Sequence, residues 1–325
     1  MSGLAVADAV PSDDSSMADL EPYRSELTGY CYRMLGSTFD ADDAVQETLV
    51  KAWQSMGGFE GRSSLRSWLY RIATNVCLDA LRARQRRAVP MDMMEPRSAS
   101  LPPSHTLPEE TWLEPVPNAA LDPAELTERS DSIRLAFVAA LQHLPPRQRA
   151  VLILREVLAW QAAEVAELLD TTVVSVNSAL QRARATLAER DLATAAPVSP
   201  EDRELLSRYV AAFEAYDIDG LVSLLHEDAS MSMPPFAMWL RGVDELRTWY
   251  LGFGSGCEDS RMLPCEVNGM LSIAQYKPDP EGGHMPWAIH ALETSDGRIS
   301  HIHHFIETDI PGAKLFVRFG LPAHL

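Results

Sequence analysis

The feature that most restricts how this sequence can fold is a pair of short helical patterns around a polar turn, at residues 160–187. The first, "WQAAEVAELLD", fits a short buried helix. In the second, apolar residues recur at three- and four-residue steps, as on one face of a helix: Val173, Val176, Leu180, Ala183 and Leu187. Thr171 or Thr172 is suited to cap this second helix. Two short helices joined by a tight turn predict a helix-turn-helix.

The opposite face of the second helix is polar and ends in arginines. In a helix-turn-helix such a face enters the major groove, where polar side chains meet base edges and arginines reach phosphates. The candidates for these contacts are Thr172, Ser175, Asn177, Ser178, Gln181, Arg182 and Arg184. A helical hairpin inside a hydrophobic core is the alternative to a DNA-reading motif.

The distribution of charge decides whether nucleic acid is a plausible partner. The whole chain carries a net charge of −18, which argues against DNA binding if taken alone. Residues 62–87, however, contain seven arginines against a single acid, Asp79. Because local fields govern phosphate binding more than the total charge does, this basic block remains compatible with a DNA surface.

The helical pattern "TFDADDAVQETLVKAW" presents an acidic face. Its apolar stripe is formed by Val45, Leu49, Ala52 and Trp53. The side chains that this stripe leaves exposed together are Asp42, Asp43, Gln46 and Glu47. An ordinary solvated helix face, with acids near the helix start favoured by the helix dipole, would look the same.

The next helical pattern, "LRSWLYRIATNVCLDALRAR", carries the basic block. Its expected inward residues are Leu65, Leu69, Ile72, Val76 and Ala80, with Arg71, Asn75 and Arg82 along another side. Trp68 is either a core aromatic, the commoner fate of a tryptophan on a helix, or a platform on which an unpaired base stacks beside Arg66 and Arg71.

Three ordered segments resemble a known family: "DADDAVQETLVKAW", "FEGRSSLRSWLYRIATNVCLDALRAR" and the block from "ALQHLPPRQRAVLILREVLAW" to "ALQRARATL". Together they are similar to bacterial sigma factors of the extracytoplasmic-function group.

The resemblance implies that Asp42, Asp43, Gln46 and Glu47 dock on the β′ clamp of core RNA polymerase. It implies a second contact with core RNA polymerase, at the β flap. It further implies capture of the melted −10 element by a loop and helix comprising Phe59, Arg62, Ser63, Ser64, Arg66, Trp68, Arg71 and Asn75. The helix-turn-helix would then read the −35 element.

The same resemblance sets the expected domains. Residues 20–87 form sigma domain 2 and residues 131–190 form sigma domain 4, both all-α. Residues 88–130, acidic and rich in proline, form a flexible linker with at most short helical pieces, which threads through polymerase. A flexible segment at residues 1–19 and a short linker at 191–200 complete this part. Two departures weaken the expected phosphate contacts of the reading helix: it carries Asn177 and Ala179 where basic residues are usual, and Asp170 stands at a turn position commonly filled by glycine.

Residues 201–325 predict an α+β domain, because helical patterns come first and strand-like runs follow. Asn268-Gly269 and Asp296-Gly297 are typical of tight hairpin turns. The order of these patterns resembles a SnoaL-like domain, a cone-shaped fold shared with ketosteroid isomerase, which some sigma factors of this group carry as an extension.

The histidines of this domain raise the question of catalysis. Trp239, His290, His301 and His303 are the candidates to line a pocket, where histidines can act as acid-base groups or hold a metal, with His284 as a further ligand. Two histidines two positions apart on a strand are more often hydrogen-bonded or pocket-lining residues, and fold kinship does not confer chemistry. We therefore expect no catalysis, no metal and no cofactor.

The sequence thus predicts a multidomain sigma factor that directs promoter recognition and transcription initiation, with a C-terminal domain that controls it in cis and that a small ligand could bias. Four scattered cysteines without a CxxC pair, and the lack of a signal or membrane segment, favour a cytoplasmic protein. Two alternatives are an operator-binding regulator that acts without polymerase, and a SnoaL-like enzyme fused to a DNA-binding module.

Overall fold

The computed structural model describes residues 17–59, 61, 63–82, 86–127, 129–189 and 198–325. Most of the expected N-terminal segment and of the second linker lies outside these ranges. Thirteen α-helices and one six-stranded sheet occupy the described residues. None of the helices in these ranges has the length and apolar character that crossing a membrane requires. The helical part precedes an α/β part, as the sequence predicts.

The expected sigma domain 2, called domain 2 below, is built from α1 (Arg24–Leu35), α2 (Thr38–Ser55) and α3 (Leu65–Arg82). Gly36 ends α1 with a left-handed backbone at φ 71°, and the Ser37 hydroxyl then caps α2. The predicted stripe of α2 is buried except at Trp53, which is half-buried.

The buried face of α3 is broader than the expected stripe. Leu69 and Val76 are buried as expected, while the other three predicted positions, Leu65, Ile72 and Ala80, are half-buried. The remaining deeply buried side chains of this helix are Tyr70, Ala73, Thr74 and Cys77. The difference arises because α3 packs on two sides, against the other helices of domain 2 and against domain 4.

The expected flexible linker is instead a packed segment. Its short helical pieces are confirmed: 3₁₀ turns at Pro90–Asp92, Glu109–Thr111 and Asn118–Ala120, and α4 at Pro123–Thr127. Trp112, Leu113, Val116 and Leu121 are buried. Glu125 forms a fully buried ion pair with Arg33 of α1. The prediction of flexibility failed because these apolar residues follow no helical or strand period.

Five helices form sigma domain 4: α5 (Ser130–Ile133), α6 (Leu135–Gln142), α7 (Pro146–Leu152), α8 (Ala162–Leu168) and α9 (Val173–Ala188). A single π-helical turn, Ile153–Val157, extends α7. Thr172 caps α9, since its hydroxyl accepts a hydrogen bond from the Ser175 amide at 3.2 Å. Helices α8 and α9 form the predicted helix-turn-helix.

The C-terminal domain combines helices with one six-stranded sheet. Its first three helices are α10 (Pro200–Glu214), α11 (Ile218–Ser223) and α12 (Val243–Leu251). The strands are β1 (Leu225–Ser232), β2 (Trp239–Arg241), β3 (Arg261–Pro264), β4 (Leu271–Pro278), β5 (His284–Ser295) and β6 (Arg298–Ile306). They lie in the order β2-β1-β6-β5-β4-β3, and β1 and β6 are the parallel pair. A last helix, α13 (Lys314–Arg318), follows the sheet.

The two faces of this sheet have different partners. Tyr209 and Phe213 of α10 pack in one core with Ile302 of β6, which closes the cone. Phe305 of β6 lies on the opposite face and belongs to the same core as the sigma domains and Phe316 of α13. The C-terminal domain is therefore joined to the sigma domains through the outer face of its sheet.

Candidate polymerase and promoter surfaces

The four residues expected to dock on polymerase lie together on α2. Asp43, Gln46 and Glu47 are exposed, and Asp42 is half-buried. Asp42 accepts a hydrogen bond from Arg318 of α13 at 2.8 Å. The structure thus forms the predicted acidic face and places one end of it under the C-terminal domain.

Helix α13 is held rigidly over this face. The carboxylate of Glu307 accepts hydrogen bonds from the Leu315 and Phe316 amides, at 2.7 and 3.3 Å. The buried Phe316 ring packs against Tyr276 of β4 with centroids 5.0 Å apart. Because α13 is fastened to the sheet in this way, Arg318 reaches Asp42 as part of the C-terminal domain.

The loop expected to capture the melted −10 element begins with an aromatic pair. The rings of Phe59 and Trp68 lie 4.9 Å apart at 36°, and both side chains are half-buried. Ser64 begins α3 by accepting the Ser67 amide at 3.0 Å, and Ser63 is half-buried beside it. Arg62 lies outside the described residues. Trp68 is therefore neither a fully buried core residue nor a free platform in this arrangement.

Arg66 is held by contacts within the chain, and its side chain is 36% exposed. Its Nε donates to Glu26 at 2.6 Å. Its guanidinium carbon lies 5.2 Å from the ring centre of Tyr70 and 5.4 Å from that of Trp160, a residue of domain 4. Domain 4 therefore lies against Arg66, and a role of Arg66 in binding the −10 element stays a prediction.

Domain 4 also reaches the neighbouring −10 candidates. Arg71 donates to the Glu167 carbonyl at 3.3 Å, and its guanidinium lies 3.6 Å from the Glu167 carboxylate. Asn75, one turn further along α3, remains exposed. Domain 4 thus contacts the predicted −10 surface at Arg66 and Arg71, whose side chains remain 36% and 44% exposed, and Asn75 is exposed as well.

The predicted −35 surface on α9 faces solvent. The exposed candidates are Thr172, Ser175, Asn177, Gln181, Arg182 and Arg184, and Ser178 is half-buried. Arg184 forms an ion pair with Glu156 at 2.6 Å. Val176, Leu180 and Ala183 are buried as predicted, whereas Val173 is 42% exposed because it stands in the first turn, beyond the reach of α8. Leu187 is half-buried.

Asn268 is a fully buried junction between all parts of the chain, and its role was missed by sequence reasoning. Its side-chain amide donates to the Tyr32 hydroxyl of domain 2 at 2.9 Å and to the Ile133 carbonyl of domain 4 at 2.7 Å. Its side-chain oxygen accepts the Val116 amide of the linker at 2.9 Å. One side chain of the C-terminal domain therefore binds both sigma domains and the linker.

The backbone around Asn268 reinforces this junction. Val267 pairs with Pro117 of the linker in an isolated antiparallel bridge, and the Gly269 amide donates to the Asn118 side chain at 2.9 Å. Asn268 adopts a left-handed φ of 51°, as the predicted Asn-Gly turn requires. The Asn-Gly pair predicted the turn, but no sequence pattern indicated the three distant partners of Asn268.

The four candidates for a pocket in the C-terminal domain do not line one site. His301 and His303 share the outer face of the sheet with Glu293 and Ser230. They line a cavity of about 530 Å³ that Leu135 of α6 and the linker also border. His303 lies 3.0 Å from the Glu293 carboxylate, which keeps the pKa of that acid near 2. The face of the sheet that they share is the one that meets the sigma domains, so the cavity that they line lies outside the cone.

His290 and Trp239 lie elsewhere. His290 is buried inside the cone, 3.0 Å from the Tyr209 hydroxyl and 2.9 Å from the Gln275 side-chain oxygen. Burial lowers the pKa of His290 to about 3. Trp239 donates its indole N–H to the Met94 carbonyl of the linker at 2.7 Å. No group of three or more metal-ligating side chains suited to an ion occurs within the described part of the chain.

Comparisons with known proteins agree with this architecture. Family models match residues 20–87 as Sigma-70 region 2, residues 134–187 as Sigma-70 region 4 and residues 206–302 as a SnoaL-like domain. The ECF RNA polymerase sigma factor SigG of Mycobacterium tuberculosis is 46% identical over 338 residues, which cover 100% of this chain and 88% of that protein. SigJ of the same organism, also an ECF RNA polymerase sigma factor, is 28% identical over 298 residues, covering 87% and 89%.

A solved structure extends the agreement to the fold. The crystal structure of M. tuberculosis extracytoplasmic function sigma factor SigJ matches 94% of this chain and 99% of its own, with a TM-score of 0.63 and 23% identity. The helical domains, the helix-turn-helix and the α/β domain thus occur in one order in a related fold. The chain belongs to the extracytoplasmic-function sigma factors of RNA polymerase, in a form that carries a C-terminal SnoaL-like domain.

Proposed function

We propose that this sigma factor alternates between a closed form, held by its C-terminal domain, and an open form that initiates transcription. In the open form the acidic face of α2 docks on the β′ clamp and domain 4 contacts the β flap. The helix α3 then captures the melted −10 element while α9 reads the −35 element. The arrangement described above is the closed form.

Two contacts support the view that the closed form is inactive. Arg318 of α13 occupies Asp42 at the end of the proposed clamp-binding face. Domain 4 contacts Arg66 through Trp160 and Arg71 through Glu167. A cationic group of polymerase and an unpaired base would each have to displace a contact within the chain. The closed form therefore competes with both of the proposed partners of domain 2.

The observation that carries the proposal is the buried Asn268 side chain, which bonds to Tyr32, Val116 and Ile133 together. These three residues belong to domain 2, the linker and domain 4, so no movement that separates the two sigma domains can keep all three bonds. A buried polar group left without its partner costs about 1–3 kcal/mol. Asn268 thus favours the closed form by holding the sigma domains at a fixed separation.

The test is the variant Asn268→Gly in the full chain, because glycine keeps the left-handed backbone and removes only the side chain. We expect the variant to bind core RNA polymerase at least about tenfold more tightly and to direct more transcription in vitro, as the loss of about 1.4 kcal/mol from the closed form implies. Asp296→Gly is the matched control, since Asp296 has the same φ of 51° in the exposed turn between β5 and β6.

Two results of this test would count against the proposal. Equal polymerase affinity and output for Asn268→Gly, Asp296→Gly and the wild-type chain would contradict it. Reduced output in Asn268→Gly alone would reverse the sign of control and make the C-terminal domain an activator. Removal of residues 200–325 extends the test, since the proposal expects the truncated chain to behave as the open form.

We also propose that the SnoaL-like domain acts through packing rather than catalysis. His301 and His303 face the sigma domains, and His290 is enclosed by Tyr209 and Gln275. The burial that lowers the pKa of both His290 and His301 to about 3 leaves these imidazoles neutral at ordinary pH. Core RNA polymerase supplied with the His301→Gln variant should accordingly transcribe as it does with the wild-type chain. A ligand for this domain stays a prediction.

A further inference from the structure

Two adjacent valines at the start of α9 are exposed to solvent. Val174 is 75% exposed and Val173 is 42% exposed. Valine has a weak helix propensity, which burial against a neighbouring helix usually offsets. Val174 is not buried, so packing within the chain does not offset its weak helix propensity. Packing therefore does not explain why a valine occupies this position.

The position of Val174 on α9 suggests why a valine occurs there. Val174, Asn177, Ser178 and Gln181 are spaced i, i+3, i+4 and i+7, which places them in one stripe along α9. Val176, Leu180 and Ala183 form the buried stripe on the side that packs in domain 4. Val174 is therefore the first member of the stripe expected to face the −35 element, and its only apolar member.

We propose that Val174 reads the C5 methyl group of a thymine in the major groove of the −35 element, an inference that rests on the proposed role of α9. Thymine carries its methyl group on the major-groove edge, next to the O4 acceptor, and apolar side chains recognise it by contact. Hydroxyl and amide groups such as those of Ser178 and Gln181 recognise donors and acceptors. The branched methyl groups of Val174 add a preference for thymine over cytosine.

The experiment uses the holoenzyme, formed from core RNA polymerase and the full chain, on a promoter fragment selected from the source genome. Each thymine of its −35 element is replaced in turn by deoxyuridine, which lacks only the methyl group. We expect one replacement to weaken binding by the wild-type holoenzyme about fourfold, the value of burying one methyl-sized group. With Val174→Ser, whose helix propensity is close to that of valine, thymine and deoxyuridine should bind equally well at that position.

Val173→Ser is the matched control and should keep the wild-type preference for thymine. The proposal is overturned if no thymine replacement affects wild-type binding, or if Val174→Ser retains the preference. Gln181→Ala separates this failure from failure of the proposed role of α9. If Gln181→Ala weakens promoter binding while the methyl group has no effect, α9 reads DNA without Val174. If neither variant changes binding, α9 is not the reading helix.

Discussion

The two proposed DNA surfaces of this sigma factor differ in their accessibility. On α9 the −35 residues project into solvent, with Asn177 and Gln181 both exposed. On α3 the −10 residues Arg66 and Arg71 are engaged by Trp160 and Glu167 of domain 4. Both surfaces lie on amphipathic helices with arginines on the polar side. The difference is thus set by which part of the chain packs over each helix.

This difference suggests the order in which the surfaces are used. The closed form leaves free of the other domains a helix suited to duplex DNA, and it engages two arginines of the helix suited to unpaired bases in contacts with domain 4. Because domain 4 both exposes α9 and covers α3, one movement of domain 4 would uncover the −10 surface without changing the structure of α9. We expect any change that loosens the C-terminal domain to affect single-strand binding far more than duplex binding.

Acidification should produce the largest difference between single-strand binding by α3 and duplex binding by α9. Burial lowers the pKa of His290 and of His301 to about 3, compared with about 6.5 in an unfolded chain. Between these values the unfolded domain binds more protons than the folded one, so the C-terminal domain loses stability as the pH falls below 6.5. Each histidine contributes about 1.4 kcal/mol per pH unit. Single-strand binding should rise between pH 7 and pH 5.

Urea unfolding at pH 7 and pH 5 measures this loss directly. His290→Gln should reduce the dependence of stability on pH, and His105→Gln, which changes an exposed histidine of the linker, should not. Residues 144–189 contain no histidine, so the fold of α9 should be unaffected over this range. An unfolding free energy of the C-terminal domain that is the same at both pH values would contradict the assignment of neutral, buried imidazoles.

The elements of the two surfaces were predictable from the sequence because their signals are local. The periodicity of α9 gave its three buried residues and that of α2 most of its buried stripe, whereas in α3 it gave only Leu69 and Val76. Of the two threonines suited to cap α9, Thr172 is the cap. The exposure of Asp43, Asn75 and Asn177 also followed from periodicity, which separates one face of a helix from the other.

The accessibility of the surfaces could not be predicted, because it depends on contacts between distant residues. Arg66 meets Trp160, and Asn268 meets Tyr32, in pairs that no local pattern relates. The burial of Trp112 in an acidic, proline-rich segment has the same cause. Strand alternation did place His301 and His303 on one face, but it could not say whether that face lines the cone or meets the sigma domains.

Arg66→Ala tests whether domain 4 covers the −10 surface. In the wild-type chain this variant should change the affinity for a single-stranded −10 oligonucleotide little, because Trp160 of domain 4 lies against the Arg66 guanidinium. In the Asn268→Gly background it should weaken binding about tenfold, the loss expected for a charge-assisted contact. Arg82→Ala, which removes another arginine of α3, is the control. Equal effects of Arg66→Ala in both backgrounds would show that Arg66 is equally available in both.

The smallest effect is expected on the open surface, where the one ion pair is weak. Arg184 of α9 is bound to Glu156, and both side chains are exposed. Such pairs contribute about 0.2–1 kcal/mol. Glu156→Ala should therefore free Arg184 for a phosphate and strengthen duplex binding only about twofold at low salt, with the gain shrinking as salt rises.

Glu189→Ala removes a charge from the end of the same domain and controls for repulsion between acids and DNA. A gain from Glu156→Ala above that of Glu189→Ala, and lost in Arg184→Ala, would show that the ion pair within domain 4 restrains Arg184. Equal gains from both variants would leave α3 as the surface that closure controls.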